Sequence, residues 1–543
     1  MKDRCLVIPA LKKHAVIPDQ LVKKLQGQTL ISRALDTARS VCPAQDIVVL
    51  TDSQEITLIC ERASVGVRLN PKLRFKSLDI VAEMRELLTE LALAYRYVLI
   101  YRASCPLVTW VDIEQAYKEF IRTKADALIT VKHVPQRVWN VKAGNLQQLL
   151  QDDSSSIVVE SRALILLKLN LLEKWGQEPK HLKILPFFLD EHAVEIQGYQ
   201  DWWICEHLLA RRHVVFVVAG FPAIGMGHVF RALMLAHEIT SHQISFVCTK
   251  ESELAVENIA CKDYPIVRQT QDDLASTVLK LRPDLVVNDF LNTPLDYMQA
   301  LKQAKVKCIN FEDEGDGSKI ADLVINALYE DQPSTEQLRM GPSYFCLRDE
   351  FLEAKRNPLR SQVHTLLITF GGTDQYDCSR RVLDIVEPIC RAFSIAIRLV
   401  VGPGYAHLKN MTKHIEELEN PLLHFTYATN VMSRMMEGAD LAICSAGRTV
   451  YELCHMRIPA LVLAHHQREA RHTFARPKHG FAFVGLMTKV SDQKIRNVFL
   501  AMLKQDRRAR FWQRQNDLDF SPNKARVIKL MLKILESDSE DGA

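Results

Sequence analysis

The chain has 543 residues, of which 48% are hydrophobic and 25% are charged. This composition is typical of a globular protein of about two to four domains, and it excludes a disordered or a fibrous chain. The formal net charge of +4 comes from 69 basic and 65 acidic residues spread along the chain, so no electrostatic argument favours nucleic acid as a partner.

Three further features bear on the class of protein. The N-terminal residues, a short apolar run into Pro9, predict a first strand rather than a signal peptide. The best candidate for a membrane span, residues 164–172, is interrupted by Lys168 and Asn170, so no span is predicted. The thirteen cysteines form no C-x-x-C pair, and their odd number favours reduced thiols in a cytoplasmic protein.

Short β-branched runs alternate with longer helical patterns along the whole chain. Apolar runs that are bounded by turns and separated by helices are typical of parallel strands buried on both faces. The sequence therefore predicts the α/β class. The clearest predicted strands are residues 47–51, 97–101, 127–131, 214–219, 285–287, 365–370, 397–401, 441–444 and 460–464.

Domain boundaries are predicted where a strand follows a break in a helical pattern. The first lies near residue 211, because a helical segment ends near Leu209 and a strand begins at Val214. The second follows Asn357 and Pro358, which interrupt a helix. The last residues are acidic and rich in small side chains. These features predict domains at 1–210, 211–358 and 359–535 and a disordered tail at 536–543.

A glycine motif follows the predicted strand 214–219. Gly225 and Gly227 precede His228, and Arg231 lies one turn later in a predicted helix. A glycine turn at a helix N-terminus leaves backbone N–H groups free to bind an anion and lets the ligand approach closely. His228 is then expected at the mouth of the crevice, where a neutral imidazole can take a proton from water. An ordinary tight turn with a capping histidine explains this motif alone equally well.

Further polar and glycine-rich clusters follow in a fixed order, at residues 341–351, 370–374, 445–452 and Gln467. With these motifs, the chain from about Val214 to Leu535 resembles the UDP-sugar hydrolases of the pseudaminic acid pathway and the related spore-coat polysaccharide proteins. The resemblance implies a GT-B-like pair of Rossmann lobes, as in two-lobed glycosyltransferases.

The resemblance also implies a role for each residue of these motifs. His228 matches the histidine that activates water for attack on the anomeric carbon, which releases UDP, and Asp289 is implied as the second catalytic residue. The residues implied in nucleotide binding are Gly225, Gly227, Gly371, Gly372, Thr373, Ser445, Gly447, Thr449 and Glu452, the last as a ribose ligand. Those implied in substrate binding are Arg231, Phe290, His466 and Gln467. Oriented amides can stabilise the diphosphate charge, so no metal is expected.

Some residues depart from the pattern of these hydrolases. Phe290 stands where the family often has tyrosine, and His466 stands where the hydrolases tend to have asparagine. The stretch around Gln467 is more similar to the spore-coat relatives, which leaves the sugar open. His465, His466 and His472 also raise the alternative of a metal site, although phosphate or sugar contact is favoured because no convincing carboxylate or thiolate partner accompanies them.

Residues 1–210 resemble the cytidylyltransferases that activate sialic acid and related acidic sugars, a Rossmann-like nucleotidyltransferase fold. The resemblance rests on Pro9 after the first strand, Asp52 after the second, and Cys105 with Pro106 after the next. The family's triphosphate loop is altered at Leu11, Lys12, Lys13, Ala15 and Gln20. Gln197 and Tyr199 replace the pair of aspartates that binds magnesium, and Asp201 alone is left.

A degenerate first domain is therefore expected, retained for packing, substrate handover or oligomerisation, with a homodimer through this domain as one outcome. The leading prediction for the whole chain is a cytoplasmic UDP-amino-sugar hydrolase of nonulosonic acid or surface polysaccharide biosynthesis. Its ligand would be a small-molecule nucleotide sugar. Three alternatives stay open: a GT-B glycosyltransferase, an active cytidylyltransferase that uses Mg in the N-terminal domain, and a non-catalytic scaffold that binds nucleotide sugar.

Overall fold

A computed structural model describes residues 2–12, 17–75, 77–134, 139–142, 145–148, 157–175, 182–221, 225–330, 332–429 and 431–537. The chain divides into two compact units, a first unit at Met1–Arg211 and a second unit at Arg212–Ala543. Most of the predicted acidic tail, residues 538–543, lies outside the described residues.

The first unit is built on a mixed sheet in the order β11-β7-β10-β6-β1-β4-β5. Its strands are β1 (Lys2–Ala10), β2 (Lys24–Leu25), β3 (Gln28–Thr29), β4 (Ile47–Thr51), β5 (Gly66–Leu69), β6 (Tyr95–Tyr101), β7 (Ala127–Val134), β8 (Trp139–Lys142), β9 (Asn145–Gln148), β10 (Ile157–Lys168) and β11 (Ile184–Phe188). Its helices are α1 (Leu30–Arg39), α2 (Gln54–Arg62), α3 (Ile80–Glu83), α4 (Arg85–Ala92), α5 (Trp110–Thr123) and α6 (Tyr199–Leu209).

Several strands of the first unit were not among the predicted ones, and β10 is the longest of them. β10 runs antiparallel to both β6 and β7, whereas β1 pairs in parallel with β4 and β6. The apolar stretch that begins at Leu164 is the buried second half of this strand. Within the described ranges, no helix has the length and apolar character that crossing a membrane requires.

The second unit has two parallel sheets, and the first of them forms its first lobe in the order β14-β13-β12-β15-β16-β17-β18. The strands of this lobe are β12 (His213–Val218), β13 (Gln243–Cys248), β14 (Ile266–Arg268), β15 (Leu285–Asp289), β16 (Lys307–Phe311), β17 (Leu323–Asn326) and β18 (Leu338–Met340). The accompanying helices are α7 (Gly227–Glu238), α8 (Glu253–Ala260), α9 (Leu274–Leu279), α10 (Leu295–Gln303) and α11 (Asp349–Leu352).

The second lobe carries the other sheet, in the order β21-β20-β19-β22-β23-β24. Its strands are β19 (Thr365–Thr369), β20 (Ala396–Val401), β21 (Leu423–Tyr427), β22 (Leu441–Ser445), β23 (Ala460–Ala464) and β24 (Phe481–Leu486). The helices that follow in the chain are α12 (Cys378–Ala392), α13 (Leu408–Leu418), α14 (Met432–Met436), α15 (Thr449–His455), α16 (Gln467–Ala470), α17 (Asp492–Met502), α18 (Gln505–Asn516) and α19 (Asn523–Glu536).

The α/β class predicted from the sequence is confirmed. Each predicted strand lies in one of the three large sheets, and β4 and β23 have the predicted bounds. The apolar runs are continuous because strands such as β12, β15 and β22 are buried along their length between helices.

The last helix belongs to a different core from the one expected. Sequence analysis placed residues up to 535 in the second lobe. In the structure, however, Val527, Met531 and Leu535 of α19 are buried in the same hydrophobic cluster as Phe216 of β12 and Val229 of α7. The chain therefore returns to the first lobe at its C-terminal end, because this lobe offers an apolar face that α19 covers.

Candidate active site

The candidate site lies at the carboxyl ends of three neighbouring strands of the first lobe. Gly227 and His228 begin α7, which follows β12, while Asp289 is the last residue of β15 and Glu312 directly follows β16. In parallel α/β sheets, ligands bind at this edge. Gly225, at the start of the motif, has φ +76°, a conformation that favours glycine.

His228 and Asp289 form a buried dyad. The Nδ1 atom of His228 lies 2.6 Å from Oδ1 of Asp289, and the two residues are 7% and 0% exposed. Burial raises the pKa of the Asp289 carboxyl, but the charge of Arg231 and the hydrogen bonds that it donates outweigh burial and lower that pKa below its ordinary value. An ionised Asp289 accepts a hydrogen bond from Nδ1–H, so in the neutral imidazole of His228 the Nε2 atom is the one able to accept a proton.

Arg231 differs from its predicted role as a substrate ligand. Its Nε atom donates to Oδ2 of Asp289 at 2.7 Å and its Nη2 atom donates to Oδ1 at 2.5 Å. Its Nη1 atom donates to Oε1 of Glu312, and the side chain is 3% exposed. Burial lowers the pKa of the guanidinium, yet the two carboxylates raise it above its ordinary value. The predicted contact with substrate is therefore corrected: Arg231 fixes Asp289 in place.

Glu312 was not singled out by the sequence analysis, although it joins the two lobes. Its Oε1 atom accepts hydrogen bonds from Arg231 and, at 3.2 Å, from Nη1 of Arg448 in the second lobe. Its backbone oxygen accepts a hydrogen bond from Nη2 of Arg468 at 2.8 Å. Burial raises the pKa of Glu312, but the two nearby arginines outweigh it and lower that pKa to about 2. The acidic run 312–314 after an apolar strand was the available signal.

The predicted phosphate-facing loop of the second lobe packs against a second glycine loop. Gly371, with φ +83°, Gly372 and Thr373 follow β19, and Gly404 donates its N–H to the oxygen of Gly372 at 2.9 Å. A Cβ atom at Gly402 would lie 2.4 Å from the Cα atom of Gly372, so this approach requires glycine. The loop 402–404 after β20 was missed by the sequence analysis.

The glycine turn of the first lobe faces the loops of the second lobe. A Cβ atom added at Gly372 would lie 3.7 Å from the Cβ atom of Met226. A Cβ atom added at Gly227 would lie 3.0 Å from the Cδ atom of Arg448. The structure therefore places Gly372 beside Met226 of the first lobe, and Gly227 beside Arg448 of the second lobe.

The loop after β22 holds the other predicted nucleotide ligands. Ser445 is 4% exposed, Thr449 begins α15, and a Cβ atom at Gly447 would make an ordinary contact with the Ser445 Oγ atom at 3.5 Å. Glu452, the predicted ribose ligand, accepts hydrogen bonds on Oε1 from Nε and Nη2 of Arg348 at 3.1 and 3.0 Å. Among the described residues, no hydrogen bond is found at its other carboxylate oxygen, Oε2.

The remaining predicted substrate ligands lie apart from the dyad's hydrogen bonds. Phe290 packs edge-on against Tyr297, with ring centroids 5.6 Å apart, in a hydrophobic cluster of the first lobe. His466 caps α16 by accepting the N–H of Glu469 at 3.3 Å, and both His466 and Gln467 are exposed. These contacts give Phe290 a packing role instead of a polar contact with a sugar.

The three histidines considered as a metal site do not converge. His472 is buried, with Nδ1 on the oxygen of Ala446. His465 instead lies near Asp374 and Cys378, and one ligand atom from each lies within 4.8 Å of the others. Both oxygens of Asp374 accept backbone N–H groups at the start of α12, at 2.9 and 2.8 Å. The expectation that no carboxylate or thiol accompanies these histidines is therefore corrected for His465, and we interpret the group as an ion cluster because both Asp374 oxygens are already engaged by the helix.

His465 carries the charge of that cluster. Its Nε2 atom lies 3.5 Å from Oδ1 of Asp374, and its Nδ1 atom lies 3.5 Å from Oε2 of Glu469. Burial lowers the pKa of His465, but the nearby Asp374, Cys378 and Glu469 outweigh burial and raise it well above 6.5. In the folded state His465 therefore keeps a proton above pH 6.5. The unfolded chain releases that proton in the same pH range.

This arrangement predicts a pH-dependent stability. Because the pKa of His465 is raised in the folded state, its full contribution to the free energy of unfolding is present below pH 6.5. That contribution is lost as the pH rises, by up to about 1.4 kcal/mol per pH unit. We expect calorimetry between pH 6.5 and 9 to show this slope in the wild type and a much smaller slope in His465→Gln. His424→Gln, at an exposed histidine of β21, should keep the wild-type slope. Equal slopes in all three proteins would contradict the assignment.

Among the described residues near the predicted magnesium position, Asp201 and Glu195 already have partners within the chain. Asp201 accepts the N–H of Gln197 at 2.9 Å, and the nearby Glu195 is paired with Arg102 at 3.1 Å and Arg162 at 2.6 Å. Magnesium prefers several free oxygen ligands, so these residues do not fit it. In the altered triphosphate loop, Lys12 pairs with Glu55 and Asp19. Lys13, His14 and Ala15 of that loop lie outside the described residues.

No protein-family model matches the chain. The chain is 27% identical over 275 residues to an uncharacterized protein of Methanocaldococcus jannaschii, covering 46% of this chain and 55% of that protein. It is 28% identical over 275 residues to the spore coat polysaccharide biosynthesis protein SpsG of Bacillus subtilis, covering 48% of this chain and 80% of SpsG. It is 30% identical over 80 residues to a 3-deoxy-manno-octulosonate cytidylyltransferase of Koribacter versatilis, covering 15% and 30%.

Two solved structures resemble parts of the chain. MurG of Acinetobacter baumannii covers 59% of this chain and 99% of its own, with a TM-score of 0.44 and 16% identity. A CMP:2-keto-3-deoxy-manno-octonic acid synthetase covers 38% of this chain and 99% of its own, with a TM-score of 0.32 and 11% identity.

Proposed function

We propose that the second unit hydrolyses a UDP-linked amino sugar, with His228 as the general base. The observation that carries this proposal is the 2.6 Å contact between Nδ1 of His228 and the buried carboxylate of Asp289. It leaves Nε2 as the acceptor for a proton at the cleft between the glycine loops. The sugar class comes from the sequence resemblance to UDP-sugar hydrolases.

The reaction requires one proton transfer and one displacement. Nε2 of His228 takes a proton from water while the water oxygen forms a bond to the anomeric carbon. The bond from that carbon to the phosphate oxygen breaks, and UDP leaves with the electron pair. Asp289 stabilises the imidazolium that forms, and Arg231 keeps this carboxylate ionised and oriented. The proton then returns to solvent.

The glycine loops support the departure of a diphosphate. Gly225, Gly371 and Gly402 lie in turns after β12, β19 and β20, at the edge where parallel strands bind anions. Preorganised backbone N–H groups stabilise a growing negative charge without reorganisation. These loops are thus expected to bind the departing diphosphate, while His228 acts on the attacking water.

We place this activity in nonulosonic acid or surface polysaccharide biosynthesis, and the similarity to SpsG supports a polysaccharide pathway. The first unit is proposed to be a degenerate cytidylyltransferase, because Gln197 and Tyr199 replace the pair of aspartates and the nearby Glu195 is engaged by Arg102 and Arg162. Magnesium would be required only if this unit were active.

A product assay tests the proposal. The full chain is incubated with a panel of UDP-amino sugars, with and without CTP, and the products are analysed by mass. Free sugar and UDP formed without any acceptor would support hydrolysis. Turnover that needs a sugar acceptor would replace it with glycosyl transfer. Release of pyrophosphate from CTP and an acidic sugar would show an active first unit, and binding without turnover would favour a scaffold.

A further inference from the structure

Arg448 connects the predicted nucleotide loop of the second lobe to the first lobe. It directly follows Gly447 in the loop after β22, and its Nη1 atom donates to Oε1 of Glu312 at 3.2 Å. Its stem lies against Gly227, the residue before His228, with Cδ 3.0 Å from where a Cβ atom would stand. The guanidinium also lies over the ring of Phe345, 4.9 Å from its centroid. The Arg448 side chain is thus held between Glu312 and Gly227, the residue that precedes His228.

A continuous chain of charged hydrogen bonds leads from this arginine to the dyad. The Oε1 atom of Glu312 accepts hydrogen bonds from both Arg448 and Arg231. Arg231 also donates to both carboxylate oxygens of Asp289. Asp289 in turn contacts Nδ1 of His228. Of these residues, Arg448 alone belongs to the second lobe. A shift of its loop therefore changes the charge that Glu312 shares with Arg231.

The charges explain why this link matters. Arg231 and Arg448 balance Asp289 and Glu312, so the buried group is neutral when His228 is neutral. Without Arg448, Arg231 is the remaining arginine that donates to Oε1 of Glu312. The guanidinium of Arg231 can then move toward Glu312 and away from Asp289. Asp289 would then hold the imidazole less firmly, because a buried ion pair is strong only when its geometry is maintained.

We propose that Arg448 is a positioning residue, which links the nucleotide loop of the second lobe to the orientation of His228 through Glu312, Arg231 and Asp289. This inference rests on the proposed function for its role in turnover, although the link itself is a property of the chain without substrate. Binding of a uridine diphosphate beside Gly447 is expected to move Arg448 and, through it, the imidazole.

The test compares wild type, Arg448→Met and Arg448→Lys in the full chain labelled with nitrogen-15 at the histidine ring nitrogens. The His228 resonance is assigned by its loss in His228→Gln. Methionine keeps the apolar stem against Gly227 and removes the charge. We expect its His228 signal to leave the Nδ1–H tautomer position, and kcat to fall roughly tenfold with little change in KM. Arg448→Lys should restore part of the wild-type His228 signal and part of the wild-type kcat.

A double substitution and a control separate positioning from general damage. Arg448→Met combined with Glu312→Gln should cost no more than the larger single effect, because both act on one path. Arg398→Met removes a second-lobe arginine that donates only to the backbone oxygens of Met435 and Glu437 among its described hydrogen bonds, and it should leave the His228 signal unchanged. Circular dichroism checks that each variant is folded.

Adding UDP distinguishes the two proposals. UDP should shift the His228 resonance in the wild type and leave it in place in Arg448→Met. If the wild type neither binds UDP nor releases it from a sugar, the proposed function fails, while the tautomer comparison still decides the role of Arg448. If the His228 signal is the same in wild type and Arg448→Met, or follows UDP equally in both, the positioning role is overturned.

Discussion

Replacing His228 with glutamine should lower kcat for UDP release about 10³-fold, because a positioned general base contributes about 10²–10⁴. Glutamine is close in size and polar, but it cannot take a proton at neutral pH. KM should change little, since His228 acts on water rather than on the nucleotide. Initial rates of UDP formation from the best UDP-amino sugar of the panel, measured on the full chain, give both constants.

The matched control lies on the same helix. His237→Gln, at an exposed histidine of α7, should keep the wild-type rate, because its described contacts are with Tyr264. Asp289→Asn should lower kcat for UDP release nearly as much as His228→Gln does, since an amide can hold the imidazole in the wrong tautomer. If His228→Gln retains the wild-type rate, the base has been assigned to the wrong residue.

Residues that directly follow strands were the most predictable part of the site. Gly227 and His228 after β12, Gly372 after β19 and Ser445 at the end of β22 could all be located, because apolar runs reveal the strands and their carboxyl ends share one edge. The same reasoning located the strands themselves. It did not predict β10 as a strand, and its antiparallel direction could not have been predicted either, because a buried apolar run has the same appearance in either direction.

The partners of buried charges could not be predicted in the same way. Arg231 looked like a substrate ligand because its helix position was visible, whereas its partners Asp289 and Glu312 lie 58 and 81 residues away in the chain. Arg448 lies 136 residues from Glu312. Such pairs depend on how the sheets bring strand ends together, and nothing in the local pattern marks them. The close approach of Gly402 to Gly372 is hidden for the same reason.

Removing Arg231 should destabilise the first lobe by about 3–5 kcal/mol, the cost of breaking a buried ion pair on one side. Arg231→Met leaves Asp289 and Glu312 buried without the cation that holds each of them in place. Arg268→Met, an exposed arginine paired with Glu253, should cost at most about 1 kcal/mol. Trp512 is the only tryptophan of the second unit, so hydrogen exchange of peptides from β12 and β15 is a better measure than fluorescence.

The pH dependence of the same variant distinguishes a lost charge from lost packing. In the wild type the pKa values of Asp289 and Glu312 are lowered, so their stabilisation is present at neutral pH and lost as the pH falls below about 4.5 toward 2. In Arg231→Met, burial without this cation should raise the pKa of Asp289 most, because Glu312 still has Arg448, so the variant should gain stability from pH 7 to pH 5 by protonating Asp289. A variant whose loss is the same at both values of pH would indicate that Arg231 acts through packing, and the charged support of His228 would have to be abandoned.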